Sequence, residues 1–396
     1  MRALVFGTYD TRSHPRVGIL AEGLRRHGLE VTECNQPLGI DTAGRVAILQ
    51  RPWRLPLLAW RIARCWFRLA RNARRTPRPD LVVVGYLGHF DVLLARLLFR
   101  RTPIVLDHLI FAADTARDRG ESGGVKQALL RAVDGAALRS ADVIVVDTEE
   151  HRQMVPEGLR DRAVAVAVGA GDEWFEAANA VAANAETTNA ETARTMETDR
   201  LRVVFFGAFT PLQGAPVIGQ ALANLAGEPI EVTMIGGGQD LARTRAAADT
   251  NQRVTWLDWV EPEKLPELVA DHDVCLGVFG TGPKALRVVP NKVFQGAAAG
   301  CAIVTSDSTP QRRILGEAAI FAPPGDPAAL AAALRHLADD KVNLTRMRSA
   351  AGNLARERFV ADQVVQPLID HLHTLPALEK HPAPANLPPP ENPTAS

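Results

Sequence analysis

The sequence predicts an α/β protein built from two Rossmann-like domains, and two observations carry this prediction. Short apolar runs alternate with helical segments along both halves of the chain. Each half also opens on a strand that ends at a glycine, Gly7 in the first half and Gly207 in the second. Continuous apolar strands are typical of a parallel sheet that is covered on both faces. A length of 396 residues is enough for two separate cores.

The first domain is predicted over residues 1–174. Its predicted strands are Ala3–Phe6, Leu29–Glu33, Leu81–Val84, Ile104–Leu106, Val143–Val146 and Ala163–Val168. Its predicted helices are Pro15–His27, Leu57–Arg75, Val92–Phe99 and Val125–Arg139. A strand, a glycine loop and a helix are how a Rossmann-like unit begins. Gly7 is not part of a G-x-G-x-x-G sequence, so a dinucleotide site is not indicated.

Residues 175–200 interrupt this pattern, because they contain almost no large apolar residue and repeat the tetrapeptide Asn-Ala-Glu-Thr. Such a stretch cannot build a core, so the sequence predicts a flexible linker in which some helix can form. The second domain is predicted over residues 201–357, followed by a C-terminal helix over 358–375. Prolines are concentrated in residues 376–396, which are predicted to be a disordered tail.

The second domain repeats the alternation of the first. Its predicted strands are Leu201–Phe206, Ile230–Ile235, Val254–Leu257, Val274–Val278, Ala302–Thr305 and Ala319–Phe321. Its predicted helices are Ala215–Leu225, Glu263–Asp271, a helix that ends at Gly300, Pro327–Asp339 and a last helical region. A polar loop is predicted over Ser306–Gln311.

Composition argues against several classes of protein. Lysine plus arginine and aspartate plus glutamate both number 45, so the net charge of zero implies no global attraction to nucleic acid. The apolar runs fall short of the roughly 20 residues that span a bilayer, and the N-terminal run is too short for a signal peptide. The cysteines are Cys34, Cys65, Cys275 and Cys301. Their scattered positions predict reduced thiols in a cytoplasmic protein and no metal site.

A basic helix is predicted over Leu57–Arg75, inside a stretch between Asp41 and Asp80 that has no acidic residue. Its arginines form one stripe at helical spacing. They are Arg61, Arg64, Arg68, Arg71 and Arg75. Such a helix can lie on an anionic membrane surface, with Trp60 and Phe67 in the headgroup layer. The alternative is a crossover helix that packs on the sheet and leaves its arginines in solvent, and the two interpretations are compatible.

Polar loops follow three predicted strands of the first half. Ligands of parallel sheets bind beyond the carboxyl ends of the strands. Gly7-Thr8, Gly85–Asp91 and Asp107-His108 are therefore expected to share one rim. His89 and His108 are its titratable candidates, since a histidine can orient a hydroxyl or donate to a phosphate near neutral pH. A histidine in a loop is more often incidental, and that alternative stays open here.

The segment Lys284–Gly300 is suited to an anion. Pro290 fits the start of a helix, where its missing N–H is not needed, and Gly300 fits the stop. The basic side chains of the segment are Lys284, Arg287 and Lys292. Together with the free amides of the helix start they predict a seat for a phosphate or diphosphate. The chain has only six lysines, and two of them lie within nine residues here. The alternative is an ordinary capped helix with solvated charges.

Five segments of the second half occur in an order that resembles a known family. They read VVFFGAFTPLQG, VTMIGGGQD, VTWLDWVEPEKLPELVADHDVCLGVF, PNKVFQGAAAGCAIVTSD and AAIFAPPGDPAALAAAL. Over residues 201–340 their order and spacing resemble the donor-binding half of the retaining family 4 glycosyltransferases of the GT-B fold. The first half resembles the acceptor half more faintly, through its glycine loop and its histidine loops. The resemblance implies two domains that face each other across a cleft and a C-terminal helix that crosses back to the first domain.

The resemblance also implies an activity, the transfer of a sugar from a nucleotide-diphosphate donor to an acceptor hydroxyl with retention and without a metal ion or other cofactor. Basic side chains and helix N-termini would then meet the charge on the departing diphosphate. The donor-side residues that it implies are Gly207, Gln213, Gly214, Lys284, Arg287, Asn291, Lys292 and Gln295. On the first domain it implies Asp107, His89 and His108 as catalytic residues and Gly7 with Thr8 as the acceptor-side loop. A membrane-bound basic helix would make a lipid-linked or cell-envelope acceptor the natural one.

The sequence departs from the family at its most typical donor positions. Family members carry two glutamates separated by seven residues, and those positions are Arg287 and Gln295 here. Gln295 can still hydrogen-bond a ribose through its amide, whereas Arg287 is expected to face phosphate or a carboxylated sugar. The arginine and lysine that the family carries after the first strand of this domain are replaced by Thr210 and Gln213. Either the basic side chains of the segment have taken over the diphosphate, or the protein no longer transfers sugar, and the gathering of scarce lysines favours the first.

Three other functions are alternatives to sugar transfer. The first is a catalytically silent protein that binds a nucleotide sugar or serves as a scaffold at the membrane. The second is a sugar-nucleotide epimerase, which needs acid and base carboxylates that this donor segment has lost. The third is an NAD-dependent oxidoreductase, which the missing dinucleotide fingerprint disfavours.

Overall fold

The computed structural model of the chain describes residues 1–10, 15–39, 55–86, 88–120, 123–187, 200–376 and 378. These residues form two six-stranded sheets. Within each sheet the neighbouring strands pair in parallel. The α/β class and the two Rossmann-like units predicted from the sequence are confirmed.

The first sheet has the strand order β2-β1-β3-β4-β5-β6. Its strands are β1 (Arg2–Gly7), β2 (Glu30–Asn35), β3 (Leu81–Val84), β4 (Ile104–Asp107), β5 (Val143–Val146) and β6 (Ala163–Ala165). The helices of this half are α1 (Arg16–Arg26), α2 (Leu55–Ala73), α3 (Asp91–Leu98), α4 (Ala112–Asp118), α5 (Gly124–Ser140) and α6 (Glu149–Met154). Strands β3, β4 and β5 are buried at every residue, which is why they read as continuous apolar runs.

The second sheet has the order β12-β11-β10-β7-β8-β9. Its strands are β7 (Leu201–Phe206), β8 (Ile230–Ile235), β9 (Val254–Leu257), β10 (Val274–Leu276), β11 (Ala302–Ser306) and β12 (Ala319–Ala322). The helices are α7 (Asp172–Thr187), α8 (Ala215–Asn224), α9 (Leu241–Ala247), α10 (Leu265–Ala270), α11 (Asn291–Ala298), α12 (Thr309–Leu315), α13 (Pro327–Asp339), α14 (Lys341–Arg358) and α15 (Ala361–His373). Short 3₁₀ turns cover Glu157–Arg162, Pro211–Gln213 and Ala285–Arg287.

Each sheet has one place where the strand order reverses. In the first sheet it lies between β1 and β3, and in the second between β7 and β10. Such a switch point leaves a crevice outside the carboxyl ends of the two strands, and ligands of open α/β sheets bind in that crevice. Gly7 is the last residue of β1 and Gly207 directly follows β7, so both glycines noted in the sequence lie at switch points.

The segment predicted as a flexible linker, residues 175–200, differs in its first part. Helix α7 continues to Thr187 and packs on the second domain, while residues 188–199 lie outside the described residues. Trp174 is 3 % exposed and its ring stacks on that of Phe206 at 5.6 Å between centroids. Ala177 is buried in the same cluster. The composition of residues 175–200 concealed this packing, because the anchoring tryptophan stands one residue before the segment.

The C-terminal helix α15 packs on the first domain rather than the second. Val365 and Leu368 share a buried cluster with Leu20 and Leu24 of α1. The two helices approach closely at Gly23, where an added Cβ would lie 2.3 Å from the carbonyl oxygen of Ala361. Helix α14 instead packs on α11 and β11 of the second domain, so the chain crosses between the domains around residues 359–360. The predicted disordered tail, residues 376–396, lies outside the described residues except for 376 and 378.

The basic helix is α2, and it is unevenly covered. Its C-terminal half packs through Leu69 and Ala73, which are buried in the core of the first domain. Leu57, Trp60 and Phe67 are 52 %, 57 % and 70 % exposed. The predicted stripe runs along the exposed side through Arg61, Arg64, Arg68 and Arg71, and Arg75 follows the end of the helix. Among the described helices, none has the length and apolar character needed to cross a membrane.

Candidate active site between the domains

Lys292 lies at the switch point of the second sheet. It stands in the first turn of α11, whose N-cap is Pro290. Its Nζ donates a 2.6 Å hydrogen bond to Oε1 of Gln213 and lies 3.6 Å from the centre of the Phe205 ring. A Cβ placed on Gly207 would come within 3.4 Å of the same Nζ. The structure therefore brings together three of the predicted donor-side residues, from the end of β7, the following turn and the start of α11.

The ammonium group of Lys292 is held in an unusual environment. The residue is 4 % exposed, and burial lowers its pKa to about 7. The electron-rich face of the Phe205 ring and the Gln213 carbonyl oxygen favour the charged form. Among the described residues, no carboxylate forms an ion pair with Lys292. A lysine in this state changes its charge near neutral pH, and a bound anion would favour the protonated form.

Glycine backbone forms the floor beside Lys292. Gly214 has φ 63°, a left-handed conformation in which other residues are strained. A Cβ on Gly214 would also lie 2.3 Å from the amide nitrogen of Gly280, in the loop after β10. The predicted role of Gly214 thus has a steric basis, since the loops after β7 and β10 touch backbone to backbone. A ligand at the switch point would meet main chain there rather than side chains.

The other two basic residues of the segment reach across to the first domain. Nζ of Lys284 donates to Oγ1 of Thr115 at 2.8 Å, and Nη2 of Arg287 donates to Oδ1 of Asp114 at 2.7 Å. Both acceptors belong to α4. Burial lowers the pKa of Lys284, and the nearby Asp118 opposes that shift. Lys284 and Arg287 are therefore engaged in holding the two domains together, and their predicted contact with a diphosphate stays a prediction.

One donor of Arg287 remains free inside this contact. Its Nε is buried and has no hydrogen-bond partner among the described residues. Its backbone carbonyl accepts a 2.8 Å hydrogen bond from Oγ1 of Thr148. The residue is thereby fixed from two sides by the first domain while a buried N–H stays available. Such a donor is suited to an oxygen of a bound ligand.

A cavity of about 440 Å³ adjoins this contact on the seam between the domains. Its walls come from the start of α6, from α12 and from the junction of α14 with α15, and they include Asp147, Thr148, Arg313, Phe359 and Gln363. Arg313 is paired with Glu150 of α6 at 2.8 Å, which is a second ion pair between the domains. The volume lies within the range of about 300–1,000 Å³ that is usual for small-molecule sites.

Gly7 and Thr8 form a rigid loop at the switch point of the first sheet. The amide and the hydroxyl of Thr8 both donate to Oδ2 of Asp91, at 2.7 and 2.8 Å. Nε1 of Trp66 donates to the other oxygen of the same carboxylate at 3.0 Å. Asp91 is the first residue of α3 and the last residue of the predicted rim loop Gly85–Asp91. Its carboxylate orders the predicted acceptor-side loop.

Asp107, a predicted catalytic residue, serves a buried ion pair. Its Oδ1 accepts a 2.8 Å hydrogen bond from Nε of Arg16, which is 1 % exposed. The same guanidinium donates to the carbonyls of Val166 and Ala167. Burial raises the pKa of Asp107, and Arg16 opposes that shift. This arrangement ties β4 to α1 and to the chain after β6, so the carboxylate has a structural task.

His89 and His108 do share one rim, as the sequence predicted, and both are buried. Their rings meet edge to face at 4.9 Å between centroids. Nε2 of His89 lies 3.0 Å from Oδ1 of Asp134. Burial lowers the pKa of His108 to about 3, so its ring is neutral at physiological pH. Asp134 lies on α5 far from both histidines in sequence, and no pattern in the sequence pointed to it.

Asn291 and Gln295, two further predicted donor-side residues, both lie on α11. Asn291 is the first residue of α11, and Gln295 lies one turn further along on the same helix, 9 % exposed. Both are thus on the helix that carries Lys292. Asp114 and Thr115, which accept hydrogen bonds from Arg287 and Lys284, lie on α4, a helix that the sequence does not predict.

Comparison with known proteins agrees with this geometry. The sequence profile described as glycosyl transferases group 1 matches residues 200–340, which span the second sheet and Lys292. A comparison with curated protein sequences gives no match.

Solved structures match over nearly the whole chain. HepE of Anabaena in complex with UDP-glucose has 14 % identity and a TM-score of 0.64, with 95 % of this chain and 100 % of that chain covered. Sucrose-phosphate synthase from Thermosynechococcus elongatus has 13 % identity and a TM-score of 0.66, with coverage of 93 % and 97 %. A UDP-forming α,α-trehalose-phosphate synthase from Burkholderia vietnamiensis has 14 % identity and a TM-score of 0.64, with coverage of 95 % and 97 %. At these identities the likeness establishes the fold alone. The chain therefore has the two-domain GT-B fold of glycosyltransferase structures, and its second domain matches the group 1 glycosyltransferase profile.

Proposed function

We propose that this protein is a glycosyltransferase that moves a sugar from a nucleotide-diphosphate donor to an acceptor hydroxyl. The observation that carries the proposal is the buried Lys292–Gln213 pair at the switch point of the second sheet, inside the region that the group 1 profile matches. A lysine that lacks a carboxylate partner and lies at a helix start is suited to a phosphate group. The structures of HepE with UDP and UDP-glucose support a nucleotide sugar as the donor.

The donor's diphosphate is placed against Lys292 and the amides at the start of α11, with Gly207 and Gly214 leaving room for the phosphates. The Nε of Arg287 donates a further hydrogen bond to the diphosphate. Its Nη2 stays hydrogen-bonded to Asp114 and holds the cleft closed. These groups supply the positive charge that the departing diphosphate requires. UDP affinity is therefore expected to be the same with and without added Mg²⁺.

The acceptor is placed on the first-domain side of the seam. Thr148 lines the cavity and donates to the carbonyl of Arg287, so an acceptor there would lie next to the turn Ala285–Arg287. Transfer with retention is the stereochemistry we propose, and the sequence resemblance is its support. His89, His108 and Asp107 stay predicted catalytic residues. Because all three are buried, we propose that they orient the reacting groups rather than transfer a proton directly.

A lipid-linked or cell-envelope acceptor is proposed from helix α2. Its exposed arginines and its exposed Trp60 and Phe67 suit an anionic membrane surface. Peripheral attachment on the cytoplasmic side is the corresponding location. The free state of Cys34, Cys65, Cys275 and Cys301 is compatible with a reducing compartment.

Two measurements test the proposal in sequence. Calorimetric titration with UDP and GDP is expected to show one site that Lys292→Ala and Gln213→Ala each weaken, whereas Lys264→Ala, which removes an exposed lysine before α10, does not. Release of the nucleoside diphosphate is then followed across a panel of nucleotide sugars, with and without lipid acceptors. Binding without release from any donor would favour the catalytically silent alternative, and absence of binding to both nucleotides would refute the proposed donor site.

A further inference from the structure

Three buried side chains of metal-ligating type converge in the first domain. His89 comes from the turn between β3 and α3, His108 directly follows β4, and Asp134 lies on α5. Their exposed fractions are 8 %, 2 % and 6 %. Buried polar groups of this kind are uncommon unless they are paired or bind an ion. The cluster is separate from the Lys292 seat of the second domain.

The distances suit a single ion. Nε2 of His89 and Nε2 of His108 lie 3.0 and 3.9 Å from the same oxygen of Asp134. All three candidate ligand atoms are within 4.8 Å of one another. Ligands bound to Zn²⁺ at about 2.0–2.2 Å stand about 3.3–3.5 Å apart, so side-chain shifts of about 1 Å would place the three atoms on one ion.

A hydrogen-bonded cluster alone explains only part of this arrangement. Asp134 accepts the amides of Ala112 and Ala113 at the start of α4, at 2.9 and 3.2 Å, as well as a ring nitrogen of His89. Nε2 of His108 is buried and has no hydrogen-bond partner among the described residues. An unpaired buried nitrogen is costly, and it points toward the oxygen that His89 already contacts. An ion shared by the three side chains gives this nitrogen a partner.

The surroundings have the features of an outer shell around a metal site. The two amides from α4 fix the orientation of the Asp134 carboxylate, as outer-shell partners of metal ligands do. Phe111 packs its ring edge to face on His108 at 4.6 Å and thereby fixes that imidazole. The ligand set is two imidazoles and one carboxylate without sulfur, which suits Zn²⁺ and related divalent transition metals.

We propose that His89, His108 and Asp134 bind one divalent transition-metal ion, for which Zn²⁺ is the representative. The ion links the turn before α3, the end of β4 and α5, and through the amides bound to Asp134 it fixes the start of α4. Helix α4 carries Asp114 and Thr115, which contact the second domain. The site is therefore a structural anchor for the first-domain side of the seam. Metal binding by His89 and His108 replaces the catalytic role proposed for them above, and the proposed donor site at Lys292 is unaffected.

The test uses the full-length protein with any affinity tag removed and bound metal stripped with a chelator. We expect calorimetry and elemental analysis to give one Zn²⁺ per chain, and the thermal midpoint to rise on adding Zn²⁺. His108→Phe keeps a ring against Phe111 but removes the ligand nitrogen, so it should weaken Zn²⁺ by more than the roughly 10–100-fold that losing an outer-shell partner costs. His336→Ala, which removes an exposed histidine from α13, is the matched control and should bind as the unaltered protein does.

Failure to take up Zn²⁺, or equal uptake by His108→Phe and the unaltered protein, overturns the proposal. Circular dichroism and gel filtration of stripped His108→Phe establish that the variant is folded. Should it not fold, Co²⁺ in the unaltered protein decides the question. Intense visible bands of four- or five-coordinate Co²⁺ support the site, and the weak spectrum of hydrated Co²⁺ refutes it.

Discussion

Arg287 and Asp114 form an ion pair between the two domains, with 2.7 Å between Nη2 of the arginine and Oδ1 of the aspartate. The side chains are 25 % and 10 % exposed, so the pair is largely withdrawn from water. Lys284 and Thr115 make a second contact one turn away. Lys284 and Arg287, which the sequence predicts to bind a ligand's phosphates, thus hold the cleft closed. Phosphate binding and cleft closure would therefore compete for the positive charge of these two side chains.

A double-mutant cycle on this pair measures the closing contact. Asp114→Asn and Arg287→Gln are each expected to lower the free energy of unfolding, and the double variant should lose less than the sum, with a coupling of about 0.5–3 kcal/mol. The matched control is Arg312→Gln, whose partner Asp307 is exposed within the second domain. An exposed pair of that kind contributes little to stability, because water screens it. Additive losses at Asp114 and Arg287, measured by chemical denaturation, would show that the pair does not couple the domains.

Lys292→Met separates stability from ligand binding. The pKa of Lys292 in the folded protein, about 7, lies below its ordinary value of 10.5. Between these values the unfolded chain binds the additional proton, so stability from this residue rises with pH. The methionine variant should therefore be more stable than the unaltered protein near pH 7, and the difference should shrink toward pH 10. Thermal melts across that range measure it, and a difference that does not vary with pH would contradict the assignment.

The same group sets the pH dependence of nucleotide binding. A bound diphosphate favours protonated Lys292, so UDP binding should take up a proton above pH 7. The dissociation constant is expected to rise by at most about tenfold per pH unit there, the limit for one linked proton. Titrations in two buffers of different ionisation enthalpy count that proton directly. Gln213→Glu places a permanent negative charge beside Lys292 and should weaken UDP while raising the lysine's pKa.

Glycines on α1 test the seat of the C-terminal helix. A Cβ at Gly23 would lie 2.3 Å from the carbonyl oxygen of Ala361 and 2.4 Å from Cγ2 of Val365, so Gly23→Ala must push α15 away. Overpacking of this kind costs about 1–3 kcal/mol. Gly18→Ala on the same helix meets no atom within 4 Å and should stabilise by up to about 1 kcal/mol through helix propensity. Equal melting temperatures for the two variants would show that α15 is not anchored at Gly23.

Sequence reasoning recovered the sheets because buried parallel strands are continuous apolar runs. Several short helices were not predicted, because they contain too few residues to show a helical period. Helix α12 begins inside the predicted polar loop Ser306–Gln311, with Ser308 at its N-cap and Pro310 in its first turn. Inside it, Gln311 is fully buried and bonds Thr305 and Ser306, a polar contact that periodicity cannot reveal. Helix α4 was missed for a similar reason, because it is short and its Asp114 faces another domain.

In the candidate site, contacts within the second domain follow from the sequence pattern, whereas contacts between the domains do not. Gly207, Gln213 and Lys292 are three of the eight predicted donor-side residues. In the structure Lys292 hydrogen-bonds Gln213 and lies beside Gly207, because all three belong to the strand–loop–helix order of a single domain, and their binding of a donor stays a prediction. The partners of Arg287 and Lys284 were not predicted, because an ion pair between domains leaves no trace in the local sequence. Asp134 was not predicted either, because its contact with His89 joins two residues of the first domain that lie far apart in the sequence.

The exposed side of α2 leads to a membrane prediction. Arg61, Arg64 and Arg68 lie on it, beside Trp60 at 57 % and Phe67 at 70 % exposure. Each basic residue near an anionic surface contributes about 1 kcal/mol, so replacing these three arginines by glutamine should weaken binding to anionic vesicles by roughly 100-fold.

The control variant replaces Arg243, Arg346 and Arg356, which are exposed on helices of the second domain, and it changes the net charge equally. This control should bind vesicles as the unaltered protein does, because we expect the anionic lipid to bind the arginines of α2 and not to respond to the net charge of the protein. Trp60→Ser by itself should also weaken binding to vesicles relative to the unaltered protein, since the indole can no longer enter the headgroup layer. Co-sedimentation with vesicles of neutral and anionic lipid measures all four proteins. Equal losses in the α2 variant and the second-domain control would assign the attraction to net charge, and the basic helix would then be an ordinary crossover helix with solvated arginines.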